Sequence, residues 1–297
     1  MNLQQIRLVR EIARNKLNVS AAAEALHTSQ PGVSRQLKEL ESELGTELFV
    51  RQGKRFAALT PAGQAAVGIV ERILADLDSL KRIGAEFSRG DSGELVIAAT
   101  HMQARYLLPR VVQEFVRRHP KVRLTIRQGS PRELAEMVLA GRADLAIATE
   151  TLDRYAELET RPLYRWHHCV VVPRGHALAR EKRLTLPAIA RHPIITYDAA
   201  FTGRSALDDT FAAAGLAIDV VLTAIDTDVI KTYVRAGLGV GIIAAPAIDP
   251  ERDADLAVLD GSRLFPERVT KLAWRKGAYL RGFVRDFIDR FPKHLPQ

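Results

Sequence analysis

The apolar pattern changes period once, at residues 88–93, and that change divides the chain into two kinds of structure. Before it, apolar residues recur every three or four positions, as on helices. After it, short apolar runs alternate with helical stretches, the arrangement of a parallel sheet covered on both faces. The segment between, Ser88-Arg89-Gly90-Asp91-Ser92-Gly93, is small and polar, the composition of a linker. At 297 residues the chain is about twice the length of a typical single domain. Its 47% hydrophobic residues are enough for more than one core.

Composition excludes several classes. The single cysteine, Cys169, rules out an intramolecular disulfide and a Cys-rich zinc site. Met1 to Arg14 carries charges every few residues, unlike a secretory signal. No run approaches the roughly 20 apolar residues that span a bilayer. The expectation is a cytoplasmic, reduced protein with no membrane partner and no cofactor. Lys and Arg number 43 against 35 Asp and Glu, a net charge of +8 that suits a polyanion without proving one. Residues 1–60 hold nine cations and six anions, so any nucleic-acid reading rests on where cations project.

Leu3, Ile6, Val9 and Ile12 form one stripe of an amphipathic helix. Residues 15–18 interrupt it. Ser20 is a plausible N-cap for a short second helix whose inward face is Val19, Ala22, Ala23 and Leu26. Ser29 can cap a third helix, with Pro31 in its first turn and Val33, Leu37, Leu40 and Leu44 as its apolar stripe. Its other face presents Gln30, Ser34 and Lys38 in line, with Arg35 beside them. Two helices joined by a short turn, the second offering polar donors outward, form a helix-turn-helix arrangement. A solvated helix face would look the same in isolation. However, residues 49–51 and 57–60 read as two short strands around a turn at 52–56 with Gly53, Lys54 and Arg55, a basic wing for phosphates or the minor groove.

The blocks Ser20-Ala21-Ala22-Ala23-Glu24-Ala25-Leu26, Thr28-Ser29-Gln30-Pro31-Gly32-Val33-Ser34, Leu48-Phe49-Val50-Arg51 and Leu59-Thr60-Pro61-Ala62-Gly63 resemble the LysR-type transcriptional regulators in order and spacing. The resemblance implies a winged helix-turn-helix over 1–61 that binds double-stranded operator DNA. Ser29, Gln30, Ser34, Arg35 and Lys38 would face the bases and nearby phosphates, with Arg51, Lys54 and Arg55 of the wing on the backbone.

Thr60 can cap a long helix with Pro61 at its first position. Val70, Ile73, Leu77, Leu80, Gly84 and Phe87 repeat every seven residues along it. Over 62–88 it would be roughly 40 Å long. Residues 62–92 are thus read as a linker that pairs two copies of the chain, the alternative being packing against its own chain.

Beyond Gly93, strands are expected at 94–100, 122–127, 143–148, 167–172, 194–197, 220–224, 240–244 and 269–274. Helices are expected at 107–118, 132–140, 205–213, 228–236 and 281–291. This predicts two α/β lobes with a ligand beyond the carboxyl ends of the strands. Thr100 and Thr149 end strands there, and Thr202 opens a helix, positions suited to a small anion. A satisfied cap is the plain alternative for each.

Ala99-Thr100-His101, Gln103-Ala104-Arg105-Tyr106, Gln128-Gly129-Ser130-Pro131, Ala146-Ile147-Ala148-Thr149-Glu150 and Phe201-Thr202-Gly203-Arg204-Ser205 are similar to the CysB branch of that family. The branch implies periplasmic-binding-protein-like lobes over 93–297, lobe I being 93–162 plus 265–297 and lobe II 163–264. It implies an effector site at Thr100, Met102, Gln103, Gln128, Thr149, Trp166 and Thr202. It also implies control of sulfur assimilation or sulfonate use by sulfate, thiosulfate, O-acetylserine, N-acetylserine or adenosine phosphosulfate. A homo-oligomer, dimer or tetramer, in contact with RNA polymerase is expected. Met102 stands where the branch has threonine, which removes a hydroxyl and adds a polarisable apolar group. The chain ends at Gln297, so contacts from the extension of other branch members are not expected.

Cys169 between His168 and Val170 resembles a nucleophile only superficially, because neighbours on a strand face opposite ways. His167 and His168 lack further positioned metal ligands. Gly237-Leu238-Gly239-Val240-Gly241 lacks the Lys-Ser/Thr ending of a phosphate loop. No carboxylate pair or triad order supports an enzyme. A ligand-binding protein without DNA function, and a regulator of another metabolic branch, are the remaining readings.

Overall fold

A computed structural model describes residues 1–53, 55–89, 92–149 and 151–291; Lys54 lies outside it, as do the side chains of residues 82, 85–89 and 202. The chain forms two compact units, Met1–Ala85 and Glu86–Gln297. The division falls inside a helix rather than in the Gly-containing linker.

The first unit opens with α1 (Leu3–Arg14), α2 (Val19–Ala25) and α3 (Gln30–Leu44). Asn2 caps α1, and Gln5 completes a capping box. Lys16 and Leu17 then adopt left-handed backbone at φ 52° and 66°, which ends α1 and turns the chain. Asn18, not Ser20, caps α2, accepting from the N–H of Ser20 and Ala21. Ser29 caps α3 through the Gly32 N–H, and Gly45 ends it at φ 67°.

Ile6, Val9, Ile12, Val33, Leu37, Leu40 and Phe49 share one core. The expected stripes fail at their outer ends, because Leu3 and Leu44 are exposed. Glu41 is buried instead. Its carboxylate accepts from the Leu48 N–H at 2.8 Å and from Arg51 Nη2 at 3.1 Å.

β1 (Phe49–Gln52) and β2 (Arg55–Leu59) form the wing, an antiparallel pair turning at Gly53. The turn is tighter than expected, and Arg55 belongs to β2.

α4 (Pro61–Arg89) starts at Thr60, whose hydroxyl accepts from the Gly63 N–H at 2.9 Å. A Cβ at Gly63 would lie 1.9 Å from the Leu48 carbonyl oxygen, so this approach requires glycine. The residues of the α4 repeat divide between packing and exposure. Val70 and Leu74 pack into their own unit's core, while Leu80 is 64% exposed. Phe87 lies outside the described side chains.

The second unit contains β3 (Gly93–Ala99), α5 (Leu108–Arg118), β4 (Val122–Gln128), α6 (Pro131–Leu139), β5 (Leu145–Thr149), β6 (Leu158–Trp166), β7 (His168–Pro173), α7 (Leu186–Ala190) and β8 (Ile194–Tyr197). It continues through α8 (Thr202–Ala213), β9 (Val220–Ala224), α9 (Thr227–Arg235), β10 (Val240–Ala244), β11 (Leu256–Asp260), β12 (Arg268–Arg275) and α10 (Gly282–Arg290).

Two five-stranded sheets result, ordered β4-β3-β5-β12-β6 and β11-β7-β10-β8-β9. Each is mixed rather than purely parallel: β12 runs antiparallel to β5 and β6, and β7 antiparallel to β10 and β11. β6 stays in the first sheet through Trp166, so the chain crosses to the second sheet at His167 rather than near Pro162. It returns between Asp260 and Arg268.

Strand alternation builds the layers. Leu95, Ile97 and Ala99 of β3 pack with Phe115 of α5 and Phe287 of α10, while Ala98 packs with Leu134 and Val138 of α6. In the second sheet, Cys169 and Val171 share a core with Ile230 and Val234 of α9. Val170 and Val172 share one with Leu207 and Phe211 of α8.

Candidate DNA-reading face and effector cleft

In the first unit, Gln30, Ser34, Arg35 and Lys38 all project from α3 as exposed side chains. Arg35 is 82% exposed and pairs with Glu39 one turn on at 3.0 Å, an exposed pair that costs little to exchange for a phosphate or base. Ser29 serves as the helix cap. Gln30 Nε2 donates to Ser20 Oγ.

Arg51, assigned to the DNA backbone from sequence, is tied to Glu41 and lies over the Phe56 ring at 5.1 Å. It holds the wing onto α3. Arg55 instead lines a groove with Lys16, Ser20, Gln30 and Phe56. Lys16 carries no sequence signal beyond its charge. The left-handed turn at residues 16–17 is what brings it to this groove.

In the second unit, parallel pairing of β3 with β5 sets their carboxyl ends side by side. Thr100 and Thr149 follow from those ends, and the Thr100 N–H donates to the Ile147 carbonyl at 3.3 Å. Both threonines line one cleft with Met102 and Trp166 from the first lobe. The second lobe contributes the carboxyl ends of β8, β9 and β10: Tyr197, Ile225 and Ala244, with Phe201 and Gly203 at the start of α8. This is where ligands bind in open α/β sheets. Thr202 opens α8 at this position, and its side chain lies outside the described ones.

Gln103 and Gln128 are not among the described residues whose side chains line this cleft. Gln128 ends β4, an exposed edge strand. Gln103 sits in a widened, π-type turn, residues 103–107, that precedes Pro109. Pro109 has no N–H to give the carbonyl four residues back, which accounts for the widening. The turn drives Gln103 wholly into the interior. Its Nε2 donates to Thr270 Oγ1 at 3.1 Å, and its Oε1 accepts from the Tyr164 hydroxyl at 2.9 Å. Trp166 Nε1 also donates to Thr270 Oγ1, at 3.1 Å, and Thr149 Oγ1 lies 3.3 Å from it.

Thr270 therefore organises the floor of the cleft. Sequence reasoning missed it because it is an ordinary strand residue 121 positions from Thr149.

The same turn ties the lobes together. His101 Nε2 lies 3.2 Å from Asp226, Arg105 pairs with Asp228, and the Tyr106 hydroxyl donates to Asp228 at 2.8 Å. Behind them Lys231 donates to Tyr106 at 3.0 Å and to Asp253 at 2.7 Å.

His168, beneath the cleft, is 1% exposed between Trp166 and Phe265, and among the described residues neither ring nitrogen has a hydrogen-bond partner. A Cβ at Gly203 would lie 3.0 Å from its Nε2. Burial, aided by Arg268 and His167, lowers its pKa to about 3. The neutral ring is the folded form.

The unfolded chain gains a proton below about pH 6.5 that the folded chain refuses, so stability falls with pH in this window. Between pH 7 and 5 the loss should be about 2 kcal/mol, read as a lower urea midpoint. His168→Phe should flatten the dependence; an unchanged slope would show that other groups cause it.

Burial likewise pushes the Cys169 thiol up to about 12, so it is not a nucleophile at neutral pH. Among the described residues, no group of three or more His, Cys, Asp or Glu is placed to hold a metal ion. No helix among them is long and apolar enough to cross a membrane.

Comparison with known proteins identifies both units. Residues 3–64 match the bacterial regulatory helix-turn-helix of the lysR family, and residues 88–296 match the LysR substrate binding domain. The chain belongs to the LysR family of DNA-binding transcriptional regulators.

It is 52% identical over 295 residues to the HTH-type transcriptional regulator SsuR of Burkholderia cenocepacia, covering 99% of this chain and 96% of that one. It is also 52% identical over 289 residues to the regulator CysB of the same organism, covering 97% and 92%. Among solved structures, the cofactor-binding domain of the Cbl transcriptional regulator matches with a TM-score of 0.66 at 43% identity, covering 69% of this chain and 90% of that domain. These relatives place the chain in the CysB branch, as a regulator rather than an enzyme.

Proposed function

We propose that this protein controls genes of sulfur assimilation or sulfonate use, reading its operator through α3 and the wing while a small effector occupies the cleft between the lobes. Convergence of Thr100, Met102, Thr149 and Trp166 on one cleft, opposite the start of α8, carries this reading. The full length over which SsuR and CysB match supports the sulfur assignment.

In this reading the protein acts in the cytoplasm. Two copies pair along α4, where Leu80 stands exposed, and present two reading heads to two half-sites. RNA polymerase is the further partner. The effector biases lobe closure, which requires that it bind the open and closed arrangements with different affinity.

Thermal unfolding of the full chain against sulfate, thiosulfate, O-acetylserine, N-acetylserine and adenosine phosphosulfate tests the site. A true effector at about 100 times its Kd adds about 2.7 kcal/mol. A gain with one of them that Thr149→Ala removes supports the assignment. No gain with any, from protein that still binds DNA, would retain the regulator and discard this effector class.

A further inference from the structure

We infer that the cleft takes a singly charged organic anion, a sulfonate group bearing an apolar chain or ring, in preference to inorganic sulfate. This inference deepens the effector-cleft reading and rests on it. The observations are the polarity of the walls and the charges around them.

Six of the lining side chains, Met102, Pro131, Trp166, Tyr197, Phe201 and Ile225, present carbon or sulfur. The two that carry polar tips turn them away. The Tyr197 hydroxyl lies 2.8 Å from Thr227 Oγ1 and accepts from the Ala244 N–H at 3.0 Å. The Trp166 indole N–H is spent on Thr270. Both rings therefore face the cleft as apolar surface.

Among the described side chains lining the cleft, the hydroxyl donors are correspondingly few and belong to the first lobe. Thr100 and Thr149 stand together at the ends of neighbouring parallel strands, and Gln103 has both ends of its amide engaged behind them. Met102 contributes a thioether where a hydroxyl would have extended the polar side. The cleft has a polar end and an apolar end, and an anion with a hydrocarbon substituent matches both.

Charge points the same way. No Lys or Arg is among the described residues lining the cleft, and the one described lining side chain able to carry a positive charge, His101, already faces Asp226. The cost of taking an ion out of water grows with the square of its charge, so a dianion is penalised far more than a monoanion where no cation compensates it. Sulfate is a dianion with four oxygens at neutral pH, whereas a sulfonate is a monoanion that keeps three of them and carries carbon in place of the fourth.

Isothermal titration of the full-length protein with sulfate and with methane-, ethane-, propane- and butanesulfonate tests the inference. Each methylene buried against the apolar wall should tighten binding about fourfold. Butanesulfonate should then bind roughly 60-fold tighter than methanesulfonate, and tighter than sulfate. Met102→Thr restores a hydroxyl and shortens the wall, so it should raise sulfate affinity and flatten the chain-length series.

A flat series in the parent protein, or sulfate binding as tightly as butanesulfonate, overturns the organic-anion inference while leaving the effector cleft intact. If no member binds to protein that still holds its operator, this inference fails, and the effector-cleft reading fails with it only if thiosulfate, the acetylserines and adenosine phosphosulfate also leave the unfolding temperature unchanged. Phe201→Ala, which removes part of the apolar wall, should weaken butanesulfonate several-fold more than sulfate. Equal loss of both would also overturn the apolar-wall assignment.

Discussion

Lys231→Ala should cost the effector-binding unit about 4 kcal/mol, because it breaks a buried ion pair and leaves its partner behind. The ammonium is 1% exposed. It donates to Asp253 at 2.7 Å, to the Ala247 carbonyl at 3.0 Å and to the Tyr106 hydroxyl at 3.0 Å, and lies 3.2 Å from Asp228. Burial disfavours the ammonium, but Asp253 and Tyr106 outweigh it and raise the Lys231 pKa above the ordinary lysine value. Burial also opposes the Asp253 carboxylate, yet Lys231, the Asp249 N–H and Arg235 hold its pKa below the usual range.

The contribution of Asp253 is therefore present above the unfolded carboxylate pKa and lost as pH falls through the folded one. That of Lys231 is present below the unfolded lysine pKa and lost as pH rises through its folded value. At neutral pH both are in force.

The readout is selective, since Trp166 and Trp274, the chain's two tryptophans, both lie in this unit. Urea unfolding followed by their fluorescence should show the loss as a lower midpoint. Lys231→Met keeps most of the volume and should cost nearly as much if the stranded Asp253 carboxylate dominates. A loss under about 1 kcal/mol in both variants would mean that water or Arg235 compensates the carboxylate.

Sequence periodicity located β8, β9 and β10 to the residue, because each is a dense apolar run. It missed β6 and β11, whose sequences lack such a run. Both are edge strands, but so is β9, so edge position alone does not hide a strand. An edge tolerates the proline and charges of Leu158–Trp166 and the half-exposed pattern of Leu256–Asp260. α7 is too short, at five residues, to show a helical period.

The cleft divides along similar lines. Thr100, Met102, Thr149 and Trp166 were legible through family resemblance, and the structure sets them together. Gln103 was legible as a polar residue beside them, but nothing in one sequence announces the widened turn that points it inward. Tyr197 and Ile225 come from strand ends whose neighbours depend on sheet order, which a single sequence does not state. In the first unit, Arg51 and Arg55 look alike as wing cations. Only the buried Glu41 carboxylate distinguishes the one that is tied down.

That distinction sets the expected behaviour of the DNA-reading face. Arg35→Ala should weaken operator binding about 100-fold or more in the paired protein, since a base contact is worth about 1–3 kcal/mol and a two-headed protein loses it twice. The effect should fall mainly on the specific operator. Arg55→Ala, at the groove it lines with Lys16 and Gln30, should weaken specific and unrelated DNA to a similar degree and reduce the slope of log affinity against log salt by about one per subunit.

Arg51→Ala should act differently from both. It releases the buried Glu41 carboxylate, so its loss of DNA binding should be accompanied by a lower unfolding midpoint of the first unit. Fluorescence anisotropy with operator and scrambled duplexes across a salt series separates the three. Equal losses of operator and scrambled binding for Arg35→Ala would remove it from base reading and assign it to the phosphates. A full-strength salt slope for Arg55→Ala would show that the wing groove stays clear of the DNA backbone.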